Sequence, residues 1–296
     1  MNSVIICTRN REPDLLRALR SLQKQTHNPT EIIIVDSSDE RLIESVQFQA
    51  VFHKNNFPST KLIYQHTTPG LTRQRNVGIK LASGDVLSFF DDDVELEPEY
   101  LEAMNRVFAT KPEYVGGMGS VTNMSAPASK KYRLFRKIFL LQRDYSHGFF
   151  TWSGMPTHAY GTKDFKPVQV LGGCCMSFQR LALQNHLFDE SLGAYAYMED
   201  CDISKRVSND GPLFFNPDAR LAHFHSPVAR DRVIENRAMY IKNYSYLFFK
   251  NFYPQNRFKV LGYVWSLVGL FLEAILFGKK DELKGYWKGL RKRSYE

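Results

Sequence analysis

Short uninterrupted apolar runs alternate along this chain with segments whose leucines recur every three or four residues. Val4-Ile5-Ile6-Cys7 reads as a first buried strand, and it ends in the polar, basic stretch Thr8-Arg9-Asn10-Arg11. Pro13 at a first helical position, with Leu15, Leu16, Leu19 and Leu22 behind it, predicts an amphipathic helix. Glu31 to Val35 is a second strand ending at Asp36-Ser37-Ser38, and Lys61 to Gln65 a third. Pro69-Gly70-Leu71 opens a helix carrying Arg73, Arg75 and Asn76, which stops at Ser83-Gly84. The apolar run Val86-Leu87-Ser88-Phe89-Phe90 is the fourth strand, and it breaks off at Asp91-Asp92-Asp93. Strands alternating with helices imply right-handed crossovers: an α/β fold with a mostly parallel sheet and helices on both faces. Asp36 and the three consecutive aspartates then line one edge of that sheet.

The pattern loosens in the second half. Val115 to Val121 suits a strand that another group approaches closely, because it holds three glycines. Lys130 to Lys137 is basic and aromatic, with Leu134, Phe135, Ile138, Phe139 and Leu141 as an apolar side; it reads as an ordinary surface helix in preference to a membrane or acceptor contact. Phe149 to Lys166 suits a long loop of the functional kind. Val168 to Phe178 reads as a strand broken at Gly172 and Gly173, where a sugar or a diphosphate can approach the backbone. Ile203 and Val207 mark one helical face, so Glu199, Asp200 and Asp202 sit at that helix's N-terminus, where the dipole stabilises negative charge and plain capping is the alternative. His223 and His225 share a face of an extended segment. Arg230 to Tyr253 reads as a long helix.

Val260 to Leu272 is a 13-residue run without charge, which is short for a bilayer span and fits a core or interfacial helix. Residues 279–296 carry seven Lys/Arg against three acids. An apolar helix followed by a basic tail reads as docking on an anionic membrane surface, with an oligomer contact as the alternative.

Composition adds class and setting. With 296 residues, 43% hydrophobic and 24% charged, the chain is globular and can bury a large core. A net charge of +8 favours anionic partners: phosphate groups, an acidic membrane face or nucleic acid. Cys7, Cys174, Cys175 and Cys201 show neither Cys-x-x-Cys nor zinc spacing, so free thiols and a cytoplasmic setting are expected. MNSVIICTRNR returns to charge too early for a signal peptide. Three adjacent carboxylates at the mouth of a low-dielectric core repel one another unless a cation compensates, and magnesium is held by carboxylates together with substrate phosphates. Ligands bind beyond the carboxyl ends of strands in open α/β sheets. The alternative is a solvated turn opening the next helix, since Glu95, Glu97 and Glu99 follow.

Four segments in order carry a resemblance. Thr8-Arg9-Asn10-Arg11, Val35-Asp36-Ser37, Thr72 to Ile79 and Gly84 to Asp93 together resemble the nucleotide-binding half of a family 2 glycosyltransferase. Glu199-Asp200-Cys201-Asp202, with Arg206 after it, resembles that family's Glu-Asp motif. The resemblance implies a GT-A catalytic domain over 1–228, with a nucleotide-binding half to about 120 and an acceptor half beyond it, and a helical C-terminal appendage over 229–296. It implies metal-dependent, inverting transfer of a sugar from a nucleoside diphosphate sugar to a glycan or lipid-linked acceptor hydroxyl. The setting it suggests is cell-envelope or surface polysaccharide synthesis on the inner membrane face. On the same grounds Asp36 bonds the nucleobase, Thr8 and Arg9 line its pocket, and Asp91 and Asp92 lie near ribose and metal. Asp93, with Asp91, coordinates Mg2+ or Mn2+; His223 falls in the register of the family's histidine ligand, with His225 as second choice. Arg75 faces the diphosphate or braces the acidic loop, and Gly172 and Gly173 border the donor. Asp200 is the general base, Glu199 and Asp202 hold neighbouring positions, and Arg206 braces their helix. A nucleotidyltransferase fits less well, because no basic glycine-rich loop follows the first strand. A nucleic-acid binder fits less well because the positive residues gather in the tail.

Overall fold

The computed structural model describes residues 1–124, 128–143, 148–193, 195–224 and 232–291. In chain order the strands are β1 (Asn2–Thr8), β2 (Glu31–Asp36), β3 (Lys61–His66), β4 (Val86–Asp91), β5 (Val94–Leu96), β6 (Gly116–Val121), β7 (Phe149–Phe150), β8 (Pro156–Thr157), β9 (Lys166–Val168), β10 (Cys175–Gln179) and β11 (Leu213–His223). The α-helices are α1 (Glu12–Leu22), α2 (Val46–Val51), α3 (Leu71–Leu81), α4 (Tyr100–Thr110), α5 (Lys130–Ile138), α6 (Arg180–Gln184), α7 (Glu199–Val207), α8 (Val233–Asn251), α9 (Lys259–Leu276) and α10 (Lys280–Arg291).

The apolar runs become the centre of one mixed sheet, ordered β3-β2-β1-β4-β10-β6-β11-β5, with β9 on β11. The β3-β2-β1-β4 half is parallel throughout, as helical crossovers require. Beyond β4 the sheet turns mixed: β10 enters between β4 and β6, antiparallel to both, while β11 runs parallel to β6. Ile5 lies opposite Ile33 and Phe89, and all three are buried. The same register sets Thr8 opposite Asp36 and Cys7 opposite Asp91, so the polar ends of three strands reach one edge together. Gln74 on α3 ties that edge, donating to the carbonyls of Thr8 (3.0 Å) and Val35 (2.8 Å). Cys7 is half-buried because its strand end opens onto this edge, and all four cysteines are free.

The residues after Asp93 differ from a helix start. Val94 to Leu96 fold back as β5 and pair antiparallel with the end of β11, Val94 opposite His223. Helix α4 begins only at Tyr100. The three aspartates therefore occupy the β4–β5 turn. In β6, Gly117 lies under the Phe214 ring and Gly119 against Tyr100 and the Ala219 carbonyl, so a side chain at either position would collide.

A second apolar cluster lies apart from the sheet's core. Phe150, Met155, Val170, Met198 and Cys201 pack against Tyr244 and Phe248 of α8, Tyr263 and Leu270 of α9, and Tyr286 of α10. The division expected near residue 228 and the helix start expected at Arg230 lie outside the described residues. Helix α9 extends beyond the uncharged run, and by length and composition it is long and apolar enough to cross a membrane. It also takes in Glu273, which is 4% exposed and accepts from Tyr132 (2.6 Å), Arg136 (2.6 Å) and Lys279 (3.2 Å).

Candidate active site

The β4–β5 turn gathers charge. Asp92 accepts from the Thr8 hydroxyl (2.7 Å) and from Arg11 (3.1 Å). Asp93 pairs with His223 Nε2 at 3.0 Å, and Asp91 lies 3.9 Å from the same nitrogen. Burial pushes the Asp92 carboxyl up to about 7 despite Arg11, and Asp93 and Asp91 add to the rise. Burial pulls the other way on His223, but its bonds to Asp93 and Cys174, with the charge of Asp91, together outweigh that and lift the imidazole to about 10. One ligand atom from each of Asp91, Asp93 and His223 falls within 4.8 Å of the others. Two carboxylates and one imidazole form a donor set that suits magnesium or manganese, and the acid excess around it favours a cation.

Arg75, only 2% exposed, connects this turn to α7. It pairs with Glu199, with Asp91 (3.2 Å) and with the Gly173 carbonyl (3.0 Å). Burial works against its charge, and Glu199 and Asp91 hold that charge in place. Burial likewise raises Glu199 to about 7, against the pull of Arg75.

Helix α7 starts after two non-glycine residues in the left-handed region, Ala196 (φ 48°) and Met198 (φ 70°). Such strain persists where the surroundings hold it, commonly at functional sites. The N-cap residue, Met198, offers no side-chain cap, and the first-turn acids Glu199, Asp200 and Asp202 stand where the helix dipole favours them. Asp200 accepts from the backbone N–H of Gly173 (3.0 Å) and of Cys201 (2.8 Å), and His158 Nε2 faces it at 3.4 Å. The His158 ring stacks on Tyr160, centroids 5.2 Å apart. Burial raises the Asp200 carboxyl, but the His158 bond, the Cys201 contact and the Gly173 N–H together bring it below the usual range. Adjacent acids on one helix are thus driven in opposite directions, an arrangement that separates proton-holding from proton-accepting roles. A Cβ at Gly173 would sit 2.9 Å from a Glu199 oxygen, and one at Gly172 would strike the Tyr160 hydroxyl, so the backbone reaches Asp200 only as glycine. His158, Asp200 and Cys201 form a second trio of candidate metal donors. Burial pushes the Cys201 thiol well above its ordinary value, which makes it a poor ligand.

The other expected site residues fall elsewhere. Asp36 is fully buried, accepting from Ser38 N (2.8 Å), Leu42 N (3.1 Å) and the Tyr64 hydroxyl (2.7 Å), so it anchors the loop after β2 instead of opening to the cleft. Arg9 is exposed at the rim and pairs with Asp39 at 3.3 Å. Asp202 is 1% exposed, pairs with Arg206 one turn along α7 (2.7 Å), and joins α7 to α8 through Lys250 (3.0 Å) and Asn251 (2.9 Å). His225 lies outside the described residues. Arg11 and His158 are additions to the site. Arg11 belongs to a basic loop already visible as such, whereas nothing in the local pattern around His158 pointed to Asp200.

A family profile described as Glycosyl transferase family 2 matches residues 3–187. The chain belongs to glycosyl transferase family 2. This family 2 chain is 30% identical over 145 residues to the glycosyltransferase YwdF of Bacillus subtilis (strain 168), a match covering 48% of this chain and 51% of that one. It is 27% identical over 124 residues to the glucosyl-dolichyl phosphate glucuronosyltransferase of Haloferax volcanii, covering 40% and 37%. It thus spans about half or less of these curated relatives. Its GT-A fold superposes on GalNAc-T7, solved with UDP, GalNAc and Mn2+, with a TM-score of 0.61 and 18% identity over 84% of this chain and 48% of that one.

Proposed function

We propose that this family 2 chain transfers a sugar from a nucleoside diphosphate sugar to an acceptor hydroxyl with inversion, in cell-envelope or surface polysaccharide synthesis. The observation that carries this reading is the meeting of two unlike acid groups across Arg75: Asp91, with Asp93 and His223, on one side, and Glu199 on the other, with Asp200 next to it joined through Gly173. Asp200, held ionised, takes the acceptor proton as the hydroxyl oxygen bonds to the anomeric carbon. The bond from that carbon to the diphosphate oxygen breaks in the same displacement, and its electrons leave with the diphosphate. His158 and the Gly173 N–H keep the Asp200 carboxylate aimed. Gly172 and Gly173 let Tyr160 and Glu199 close in on the backbone that holds Asp200 beside the donor sugar.

Asp91, Asp93 and His223 would hold Mg2+ or Mn2+, which when bound supplies positive charge to the departing diphosphate. The relative solved with UDP and Mn2+ supports that assignment. Thr8 and Arg9 border the nucleotide end, with Asp36 shaping the loop beside them and Arg11 adding positive charge. A lipid-linked acceptor, met at the anionic inner face of a membrane, agrees with the relative named for glucosyl-dolichyl phosphate. Residues 1–228 form the catalytic unit and 229–296 the helical unit that meets the membrane.

The test incubates the purified chain with a panel of nucleotide sugars and a soluble acceptor, with and without EDTA. Release of nucleoside diphosphate that stops in chelator and returns with manganese is expected. Pyrophosphate release, or full turnover in chelator, overturns the reading.

A further inference from the structure

Helix α9 buries one side against α8 and α10, and its other side is apolar and bare. Leu261, Val264, Trp265 and Val268 follow one another at helical spacing on that side, each at least 42% exposed. Helix α5 extends the surface with Leu134 (59% exposed) and Ile138 (54% exposed). The two helices are joined directly: the Trp265 indole donates to the Ile138 carbonyl (2.8 Å) and stacks on Phe139 (4.8 Å), while Glu273 accepts from Tyr132 and Arg136. Trp287 of α10, also exposed, reaches the same surface beside Phe271 (5.4 Å). Contiguous apolar surface of this kind marks an interaction site. Exposed lysines fringe it, with Lys130, Lys131 and Lys137 on α5 and Lys284 and Lys288 on α10. The basic, aromatic stretch expected to be an ordinary surface helix is thus half of a two-helix platform.

We infer that the α5–α9 face docks in the plane of an anionic lipid bilayer, apolar stripe inward and lysine fringe against the headgroups. Charge complementarity selects this occupant. Lys284 and Lys288 pair with Asp281 (3.1 Å) and Glu235 (3.0 Å), so the α5 lysines decide: a second copy laid on the same face would oppose lysine to lysine, whereas anionic lipid attracts them. Trp265 lies within the apolar stripe, and Trp287, with Arg291 5.9 Å over its ring, adds a second indole of the kind that settles at membrane interfaces. Helix α9 lies on the surface instead of crossing it, because Glu273, the Tyr244–Ser266 hydroxyl pair (2.7 Å) and the close seat of Gly269 on Phe139 pin it to the protein. This deepens the membrane part of the proposed function and uses no residue of the cleft, so the two readings fail separately.

The experiment is co-sedimentation of the full chain with phosphatidylcholine vesicles, alone or mixed with phosphatidylglycerol. Wild type should pellet with the mixed vesicles, and high salt should release only part of it, since the apolar contact is not screened. Val264→Glu with Val268→Glu should lower vesicle affinity by at least ~10-fold, because both charges would enter the apolar zone. Leu181→Glu, altering an exposed leucine on α6 (70% exposed), should leave binding unchanged. Circular dichroism melts and donor-sugar turnover on a soluble acceptor show whether the double variant stays folded and active. Should it unfold, Trp265→Ser with Leu134→Ser replaces it, with the same expected loss. Wild type ignoring anionic vesicles overturns the inference, and so does a dimer by light scattering that the double variant dissolves. Vesicle binding with no sugar transfer removes the chemical reading and leaves this one standing.

Discussion

Two buried arginine–carboxylate clusters in this molecule are built on different ratios. In the cleft, Asp91, Asp92, Asp93 and Glu199 converge on Arg11, Arg75 and His223, and Asp200 faces His158. At the junction of α5 and α9, Glu273 receives Arg136, Lys279 and Tyr132, and Glu282 stands 3.8 Å from Lys279, two acids against two cations. Burial raises the carboxyl in both places. The donors around Glu273 outweigh it and hold that group low, whereas Asp92 and Glu199 stay up at about 7. A balanced cluster fastens helices together. An acid excess kept out of water costs stability, and it persists where a bound cation or a moving proton makes use of it.

The contrast can be broken from either side. Asp200→Asn keeps the shape and removes the proton acceptor, so kcat should fall ~10²–10⁴-fold while donor affinity stays within threefold. A variant as fast as wild type in steady-state assays would move the base elsewhere. Asp93→Asn attacks the other acid group. Donor affinity in manganese should drop by at least ~10–100-fold, the loss seen when even an outer partner of a metal is removed. Titration calorimetry with a panel of nucleoside diphosphates and manganese reads it, and unchanged affinity would unseat Asp93 as a ligand.

His158→Ala tests positioning. Burial raises Asp200, and the His158 bond leads the opposing pulls, so its removal lets the carboxyl rise. The acid limb of kcat/KM should then move to higher pH, and the rate above that limb should fall roughly fivefold, the worth of one hydrogen bond of about 1 kcal/mol. An unmoved limb would make His158 a packing residue. The smallest effect belongs to the balanced cluster. Glu273 has its pKa lowered on folding, so its stabilisation is full above the unfolded carboxyl range near 4.5 and fades as pH falls through the lower folded value. Glu273→Gln should cost about 1 kcal/mol, about 2–4 °C in Tm at pH 7, and the gap from wild type should close below about pH 4. Sugar transfer to a soluble acceptor should be untouched, and a loss there would tie the junction to the cleft.

What could be read beforehand followed local pattern. The runs around Ile5, Ile33 and Phe89 are apolar on both sides because the parallel half of the sheet is covered on both faces, and such runs are visible in one dimension. The meeting of Asp93 with His223 followed only from family resemblance, and the β5 strand that produces it is three residues long behind acids that suit a helix start equally well. The entry of β10 between β4 and β6 is a pairing between distant segments, and alternation alone does not reveal it. His158 sits where Gly, Pro and Thr erase periodicity, so its approach to Asp200 is a tertiary fact. Asp36 was legible as an acid at a strand end. Its three donors come from a loop and a neighbouring strand, and these decide that it faces inward.

The pairing of Val94 with His223 has a consequence in time. A chain made from its N-terminus exposes β1 to β4 first, and these strands can join through nearby crossovers while the ribosome is still working. The acidic turn leaves the exit tunnel with them, but its histidine is among much later residues, and β11 must lie beside β5 before the nitrogen arrives. Loop closure of that span is a slow, late step. During synthesis Thr8, Arg11 and Arg75 are at hand for Asp92 and Asp91, whereas Asp93 waits for His223, and the proposed donor set is complete only once the far strand has seated. If the proposed site takes a cation, its full affinity would mark completion, separating finished molecules from those still missing their last strand.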